Sequence, residues 1–303
     1  MNKESIMYEK IEELNLETIE LKTSKEYLIG KKILRIKEYL KKMQIKECIK
    51  KINENKKISK YSHEQQENNF KLTKKIKSNN IPKIAVYTCI TGNYDKEILE
   101  PFVKLENTDF YLFTDNEKQI SENWIIKPIP ENINREYNNI LKNRYVKMHP
   151  YELFENYDYS IYIDGNVKVM SDLTELVYAI NENVGIAMHK HQFRDCICDE
   201  IEVCKIKKKG NYKEMKRQVE KYVQNGFPKK FGMLEATIIV TDLKNKVAKK
   251  LLNDWWDEFI STESLRDQIS LQYIVWKNKL KIDDIGVLGN NLYRNPKFRI
   301  NIH

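Results

Sequence analysis

The rhythm of apolar and polar positions changes at Ile81-Pro82. Just beyond, KIAVYTCITGNYD opens with an apolar run rich in β-formers and ends in a Gly-Asn turn, which predicts a buried strand ending near Cys89. Similar short runs predict strands at Phe110–Phe113, Trp124–Lys127, Tyr159–Ile163, Gly185–Met188, Ala236–Thr241 and Lys281–Val287. Helical spacing predicts helices at Tyr137–Leu153, Asp172–Ile180, Tyr212–Gln224, Leu243–Phe259 and Ser264–Lys277. Alternating strands and helices make an α/β fold with a mostly parallel sheet flanked by helices. Ligands in such sheets bind beyond the C-terminal strand ends, so the loops after Cys89, Phe113 and Ile163 are expected to converge.

Before Ile81 the pattern is different. Residues 5–55 contain one glycine, Gly30, and no proline, and Ile29, Ile33, Ile36, Leu40 and Met43 form one apolar stripe at helical spacing. Lys31, Lys32, Lys37, Lys41, Lys42 and Lys46 give this helix a basic side. It can pack on the following domain, pair with a second copy into a homodimer, or make a peripheral contact with an anionic membrane. Residues 53–80 are polar and read as a linker or weak helix. The chain therefore divides into a basic helical segment and linker, 1–80, and an α/β domain, 81–303.

Composition sharpens this division. A chain of 303 residues with 41% hydrophobic and 11% aromatic content can bury a sizeable core. The net charge of +9 sits almost entirely in residues 1–80, which hold 20 Lys and Arg against 12 Asp and Glu. That segment has few aromatics and the rest is nearly neutral, which argues against a nucleic-acid partner. No run of about 18 apolar residues occurs, and MNKESIMYEKIEEL lacks the order of a secretion signal. A cytoplasmic protein is expected, at the inner face of the membrane if the basic helices dock there. Five cysteines, Cys48, Cys89, Cys196, Cys198 and Cys204, suit reduced thiols, and their spacing, even with His189 and His191, is unlike a zinc site.

Candidate chemistry begins at YSIYIDGNVKV, where a strand is interrupted by Asp164, Gly165 and Asn166. Side chains two apart in extended chain point alike, so Asp164 and Asn166 offer oxygens to one side, and Gly165 lets a ligand approach the backbone. Hard cations prefer such oxygens, which suggests a metal and phosphate site; an Asx turn in an ordinary hairpin explains the same residues. Lys142, Arg144 and Lys147 share a predicted helix, where Arg144 and Lys147 are neighbours able to neutralise a diphosphate, or form a solvated basic face. KHQFRD brings together His191, Arg194 and Asp195, with Glu200 following, and Arg194 is suited to clamp a phosphate or carboxylate. In SLRDQ, Ser264 is expected to cap a helix and Asp267 to lie in its first turn, either for the helix dipole or as a proton acceptor. Glu235 in GMLEA is the rival base, and Trp255 and Trp256 point apart on their helix, as core residues do.

Six blocks in order give the chain a wider likeness: VYTCITGNYD (86–95), FTDN (113–116), YSIYIDGNV (159–167), KHQFRDCICDE (190–200), GMLEATIIV (232–240) and WWDEF with SLRDQISLQYIVWK (255–277). Together they resemble a glycosyltransferase-like family first catalogued as a domain of unknown function and later linked to plant mucilage polysaccharide synthesis, with many bacterial members. The resemblance covers roughly residues 83–288 and leaves out the first 80 residues. It implies a GT-A-like fold that transfers a sugar from a nucleoside-diphosphate sugar to a glycan or polysaccharide acceptor, with Mn²⁺ or Mg²⁺. By position it implies that Thr88, Gly92, Tyr94 and Asp95 lie under the nucleotide and that Asp115 approaches the base or ribose. Arg144, Lys147, His191, Arg194 and Gln268 join the nucleotide-sugar contacts. Asp164, Asn166 and His303 are the implied metal ligands, with Asn166 where a second Asp is commoner, and Asp267 or Glu235 handles the acceptor. A non-catalytic nucleotide-sugar-binding adaptor is the alternative; a hydrolase lacks a Gly-x-Ser-x-Gly elbow.

Overall fold

The computed structural model describes residues 3–41, 45–63, 81–92, 98–103 and 105–301. The chain begins with helices α1 (Lys3–Thr23), α2 (Lys25–Lys41) and α3 (Ile45–Ser59). The domain then runs β1 (Ile84–Ile90), β2 (Thr108–Thr114), β3 (Ile125–Pro128), α4 (Glu131–Glu136), α5 (Asn139–Met148), α6 (Pro150–Leu153), β4 (Tyr159–Ile163) and β5 (Val167–Val169). It continues through α7 (Thr174–Tyr178), β6 (Ile186–Lys190), α8 (Ile197–Ile206), α9 (Tyr212–Gln224), β7 (Leu234–Asp242), α10 (Lys246–Ile260), α11 (Asp267–Lys277), α12 (Ile282–Ile285) and β8 (Phe298–Ile300).

Six strands form one sheet in the order β3-β2-β1-β4-β7-β6. Strands β1 to β4 pair in parallel, whereas β7 runs antiparallel to both β4 and β6. Both faces are covered. Tyr87, Tyr162, Trp255 and Phe259 belong to the core on one side, and Ile84, Val86, Leu112, Ile161 and Leu173 to the core on the other. Double coverage explains why β1 is an uninterrupted apolar run with every residue buried. Trp255 and Trp256 are both buried in this core. Because β7 is reversed, its first residues lie at the same sheet edge as the end of β4, where Ile163 pairs with Ile238. This mostly parallel sheet with one reversed strand is a GT-A-like architecture.

The elements depart from the sequence expectation at definable points. Lys281–Val287 is not a strand: Asp284 accepts a hydrogen bond from the backbone N–H of Lys281 and starts the short helix α12. The expected helix Tyr137–Leu153 is split, because Pro150 supplies no N–H and restarts the chain as α6. Ser264 is not the cap of α11; Arg266 holds that position, and the Ser264 hydroxyl donates to Gln218 instead, at 2.6 Å. Strands β5 and β8 form a two-stranded sheet that three-residue patterns do not reveal.

The N-terminal segment folds as three helices, and α3 runs into the 53–80 stretch read as a linker or weak helix. The remainder of that stretch, 64–80, and Met43 lie outside the described residues. Helix α1 is joined to the domain by buried polar contacts. Asn15 donates its amide to the carbonyls of Pro296 and Phe298, at 2.7 and 3.3 Å, and the buried Lys297 pairs with Glu12 at 2.7 Å. At the other end of the segment, the His63 N–H donates to the Phe193 carbonyl at 2.8 Å.

Candidate functional site

A cleft of about 590 Å³ opens where the strand ends meet. Ile90 and Thr91, Asn143 and Arg144, the Asp164–Asn166 turn, the loop through Lys209 to Asn211 and Arg266 line it. The loops after β1, β2 and β4 come together at this sheet edge, and those after β1 and β4 line the cleft. Gly92 joins the first two, its N–H donating to both carboxylate oxygens of Asp115 at 3.0 and 3.1 Å. Gly92 has φ of 65°, the left-handed region that favours glycine, and a Cβ there would push the Asn139 side-chain amide aside. Asn138 caps α5 through the N–H groups of Ile140 and Leu141, and Asn143 donates to the Cys89 carbonyl at 2.6 Å, tying the helix to the end of β1.

That helix presents two cations to one carboxylate. Arg144 Nε and Lys147 Nζ lie 2.8 and 2.9 Å from Asp267 Oδ2. Burial alone would raise the Asp267 pKa, but Arg144, Lys147 and Arg266 hold it far below the usual carboxylate range. Burial likewise opposes charge on Arg144, and Asp267 with Asp164 overrides it. The two cations differ in access: the Lys147 side chain is 2% exposed, the Arg144 side chain 22%. Arg144 therefore faces the cleft, while Lys147 is enclosed by Asp267, Asp164 at 3.9 Å and the rings of Tyr162 and Trp255.

Asp164 follows β4. Its N–H donates to the Thr237 carbonyl and its Oδ1 accepts from the Tyr162 hydroxyl, both at 3.0 Å, with the side chain 36% exposed. Asn166 donates its Nδ2 to the Asn301 carbonyl at 3.0 Å, and Asn301 N–H returns a bond to the Asn166 carbonyl at 2.9 Å. With its amide nitrogen so committed, Asn166 has its amide oxygen left for a cation. One anionic and one neutral oxygen donor fit a hard cation that completes its shell with water and phosphate. Among the described residues no group of three His, Cys, Asp or Glu side chains could hold a metal unaided.

Beyond the Asp164 turn stands a second cluster, built by β6, β7 and α8. Glu200 is buried and pairs with Arg194 Nε at 2.5 Å and Arg266 Nη2 at 3.6 Å. His191 Nε2 lies 2.7 Å from Arg194 Nη2 and 3.6 Å from Glu235 Oε2. Burial, then Arg194, pushes the His191 pKa down to about 4, so its ring is neutral near pH 7. Burial, helped by the negative charges of Glu200 and Asp164, pushes the Glu235 pKa up to about 7. Thr237 donates to Glu235 Oε1 at 3.1 Å. Burial, then the negative charge of Glu235, raises the pKa of the nearby Tyr293 hydroxyl.

Helix α11 holds β7 in place here. The β6–β7 register shifts between Met188 and His189, and Ala236 N–H is met by Gln268 Oε1 at 3.4 Å. Gln268 also donates to the Leu234 carbonyl, and Gln272 accepts from Leu234 N–H at 3.0 Å. The two glutamines thus bracket Glu235, which makes Gln268 a support of β7 in this state.

The expected residues do not all share one place. Arg144, Asp164 and Asn166 line the cleft, Gly92 and Asp115 pair with each other at the end of the loop that leaves it through Thr91, and His191, Arg194 and Glu235 form a separate cluster. Thr88 is buried in the sheet, its hydroxyl without a partner among the described residues, and Lys147, Asp267 and Gln268 are enclosed. Tyr94, Asp95 and His303 lie outside the described residues. Sequence reasoning passed over Arg266, Tyr162 and Asn143. Arg266 stands directly before Asp267, and a cation beside a carboxylate in SLRDQ was the available clue.

With this geometry in hand, sequence comparison is decisive at the level of family. The family described as TOD1/MUCI70, glycosyltransferase-like domain, matches residues 42–299. The chain belongs to that family. The TOD1/MUCI70 match begins just past α2, includes α3 and everything built around the cleft, and leaves α1 and α2 outside. No curated protein sequence matches this chain. Among solved structures, the apo form of WbbM, a bifunctional glycosyltransferase, is 16% identical over 66% of this chain and 38% of its own, with a TM-score of 0.40. LgtC, a galactosyltransferase in complex with donor and acceptor sugar analogues, is 13% identical over 65% of this chain and 70% of its own, with a TM-score of 0.38. The glycosyltransferase-like character of the TOD1/MUCI70 chain therefore rests on the family.

Proposed function

We propose that this protein transfers a sugar from a nucleoside-diphosphate donor to the hydroxyl of a glycan or polysaccharide acceptor. The observation that carries the reading is the meeting of a donor cleft with a poised carboxyl group. Arg144, Thr91 and the Asp164 turn line the cleft, and Glu235, near enough to Asp164 to feel its charge, has its pKa raised to about 7 by partial removal from water. In this reading Arg144 faces the departing diphosphate, held in position by Asp267 and Lys147. Asp164 and Asn166 would hold Mn²⁺ or Mg²⁺, which when bound supplies positive charge to the diphosphate. Glu235 takes the proton of the acceptor hydroxyl as its oxygen bonds to the anomeric carbon, while the bond from that carbon to the diphosphate breaks and its electron pair leaves with the diphosphate. Enclosed and already paired, Asp267 serves as a positioning residue, and Glu235 is the better base.

Calorimetric titration with a panel of nucleoside diphosphates and their sugars, with and without Mn²⁺, tests the proposal. Saturable binding of one base, with slow donor hydrolysis that Asp164→Ala removes from a folded protein, is expected. No binding by any member of the panel would overturn it, and binding without turnover would leave a non-catalytic nucleotide-sugar adaptor.

A further inference from the structure

Helix α2 leaves its apolar stripe uncovered. Ile29, Ile33 and Ile36 are 56%, 49% and 42% exposed, although α1 at one end of the segment and α3 at the other are both attached to the domain. At 100° per residue these three side chains fall within about 60° of one another around the helix. Lys25 and Lys32 flank them on one side and Lys37 on the other. The helix holds six Lys and Arg against two acids, Glu26, which falls between Ile33 and Lys37 at the first turn of the stripe, and Glu38 on the opposite side. Isoleucines between lysines, along a helix tethered at both ends, form a surface that is apolar along its middle and cationic along its edges.

We infer that α2 lies on a membrane of anionic phospholipid, with Ile29, Ile33 and Ile36 entering the acyl boundary and Lys25, Lys32 and Lys37 meeting the phosphates. Charge decides between occupants. A second copy seated on the same stripe would bring six lysines together along the contact, whereas an anionic bilayer neutralises three. Long lysine stems also suit this position, since they reach the headgroups while the isoleucines stay below. Among the described residues no helix is long and apolar enough to cross a membrane, so the attachment is peripheral and reversible. The cleft and the α2 surface belong to one chain joined through α1, so binding would hold the cleft near the lipid. This inference does not depend on the proposed reaction.

The full chain should be sedimented with vesicles of pure phosphatidylcholine and with vesicles carrying about one third phosphatidylglycerol. Binding is expected to the second only, and to weaken as salt rises above about 0.1 M, where the Debye length falls below about 10 Å. The triple variant Ile29→Ser, Ile33→Ser, Ile36→Ser should lower the partition coefficient at least ~10-fold on burial grounds. Lys25→Gln, Lys32→Gln, Lys37→Gln should remove the preference for phosphatidylglycerol. These positions are exposed, and unchanged circular dichroism would show that the fold persists. Equal binding to both vesicle types, or none to either, overturns the inference. So does a dimer, seen by light scattering, that the isoleucine variant alone dissociates.

Discussion

Arg144 and Asp267 meet at the base of the cleft, with guanidinium and carboxylate 2.8 Å apart, and Lys147 approaches the same carboxylate oxygen from one turn further along α5. One carboxylate thus compensates two cations that are largely or wholly removed from water.

Removing that carboxylate should be costly. Asp267→Asn leaves the buried Lys147 with only Asp164, 3.9 Å away, as a counter-charge, and a loss of about 3 kcal/mol is expected in urea unfolding. The pH dependence has a defined sign. The folded pKa lies below the unfolded value of about 3.9, so the contribution of Asp267 is present above that value and disappears as pH falls below it. Asp267→Asn should therefore unfold with a shallower acid limb than the natural protein. Equal acid limbs would show that the carboxylate does not carry this charge.

Glu235 should titrate within the working range. As a base it acts ionised, so the transfer rate is expected to rise with pH and level off above about 7. Glu235→Gln should lower the rate roughly 10²- to 10⁴-fold, with nucleotide binding retained. Stability runs the other way. The folded pKa lies above the unfolded value, so the protonated carboxyl stabilises fully below about 4.3 and this benefit is lost as pH rises through about 7. The glutamine variant should therefore gain stability relative to the natural protein at pH 8. A rate independent of pH between about 5 and 8 would remove Glu235 from the base role.

Helix α1 should support the donor turn from a distance. Asn15 anchors the segment leading into β8, β8 pairs with β5 through Val167 and Ile300, and Asn301 brackets Asn166. Asn15→Ala strips two backbone carbonyls of their donor, at a cost of about 1–3 kcal/mol. Amide exchange is expected to quicken in 167–169 and 298–301, and nucleotide binding to weaken. Faster exchange confined to α1 would mean that the anchor does not extend to the turn.

Much of the fold was legible because it follows from local patterning. The continuous apolar run of β1 is what coverage on both faces demands, and α9 falls on Tyr212–Gln224 as its spacing predicts. Pro150 was a visible break that the helical rhythm around it obscured. Strand β8 has no local pattern of its own, since three residues acquire a partner only when β5 arrives from elsewhere in the chain. The convergence of the first, second and fourth strand ends was also legible, because a parallel sheet places its strand ends on one edge.

The site divides in the same way. Sequence alone determined the family, the sheet class and the residue types gathered near the strand ends, since these depend on composition, spacing and order. Access and protonation were decided only by tertiary structure. Lys147 became a buried counter-ion because Asp267 reaches it from 120 positions away. Gln268 was spent on the backbone around Glu235, where the β6–β7 register shift left an N–H to satisfy. The carboxyl groups of Asp267 and Glu235 are alike in an unfolded chain. They separate in the fold because Asp267 is buried beside cations, whereas Glu235 is half-buried near other carboxylates.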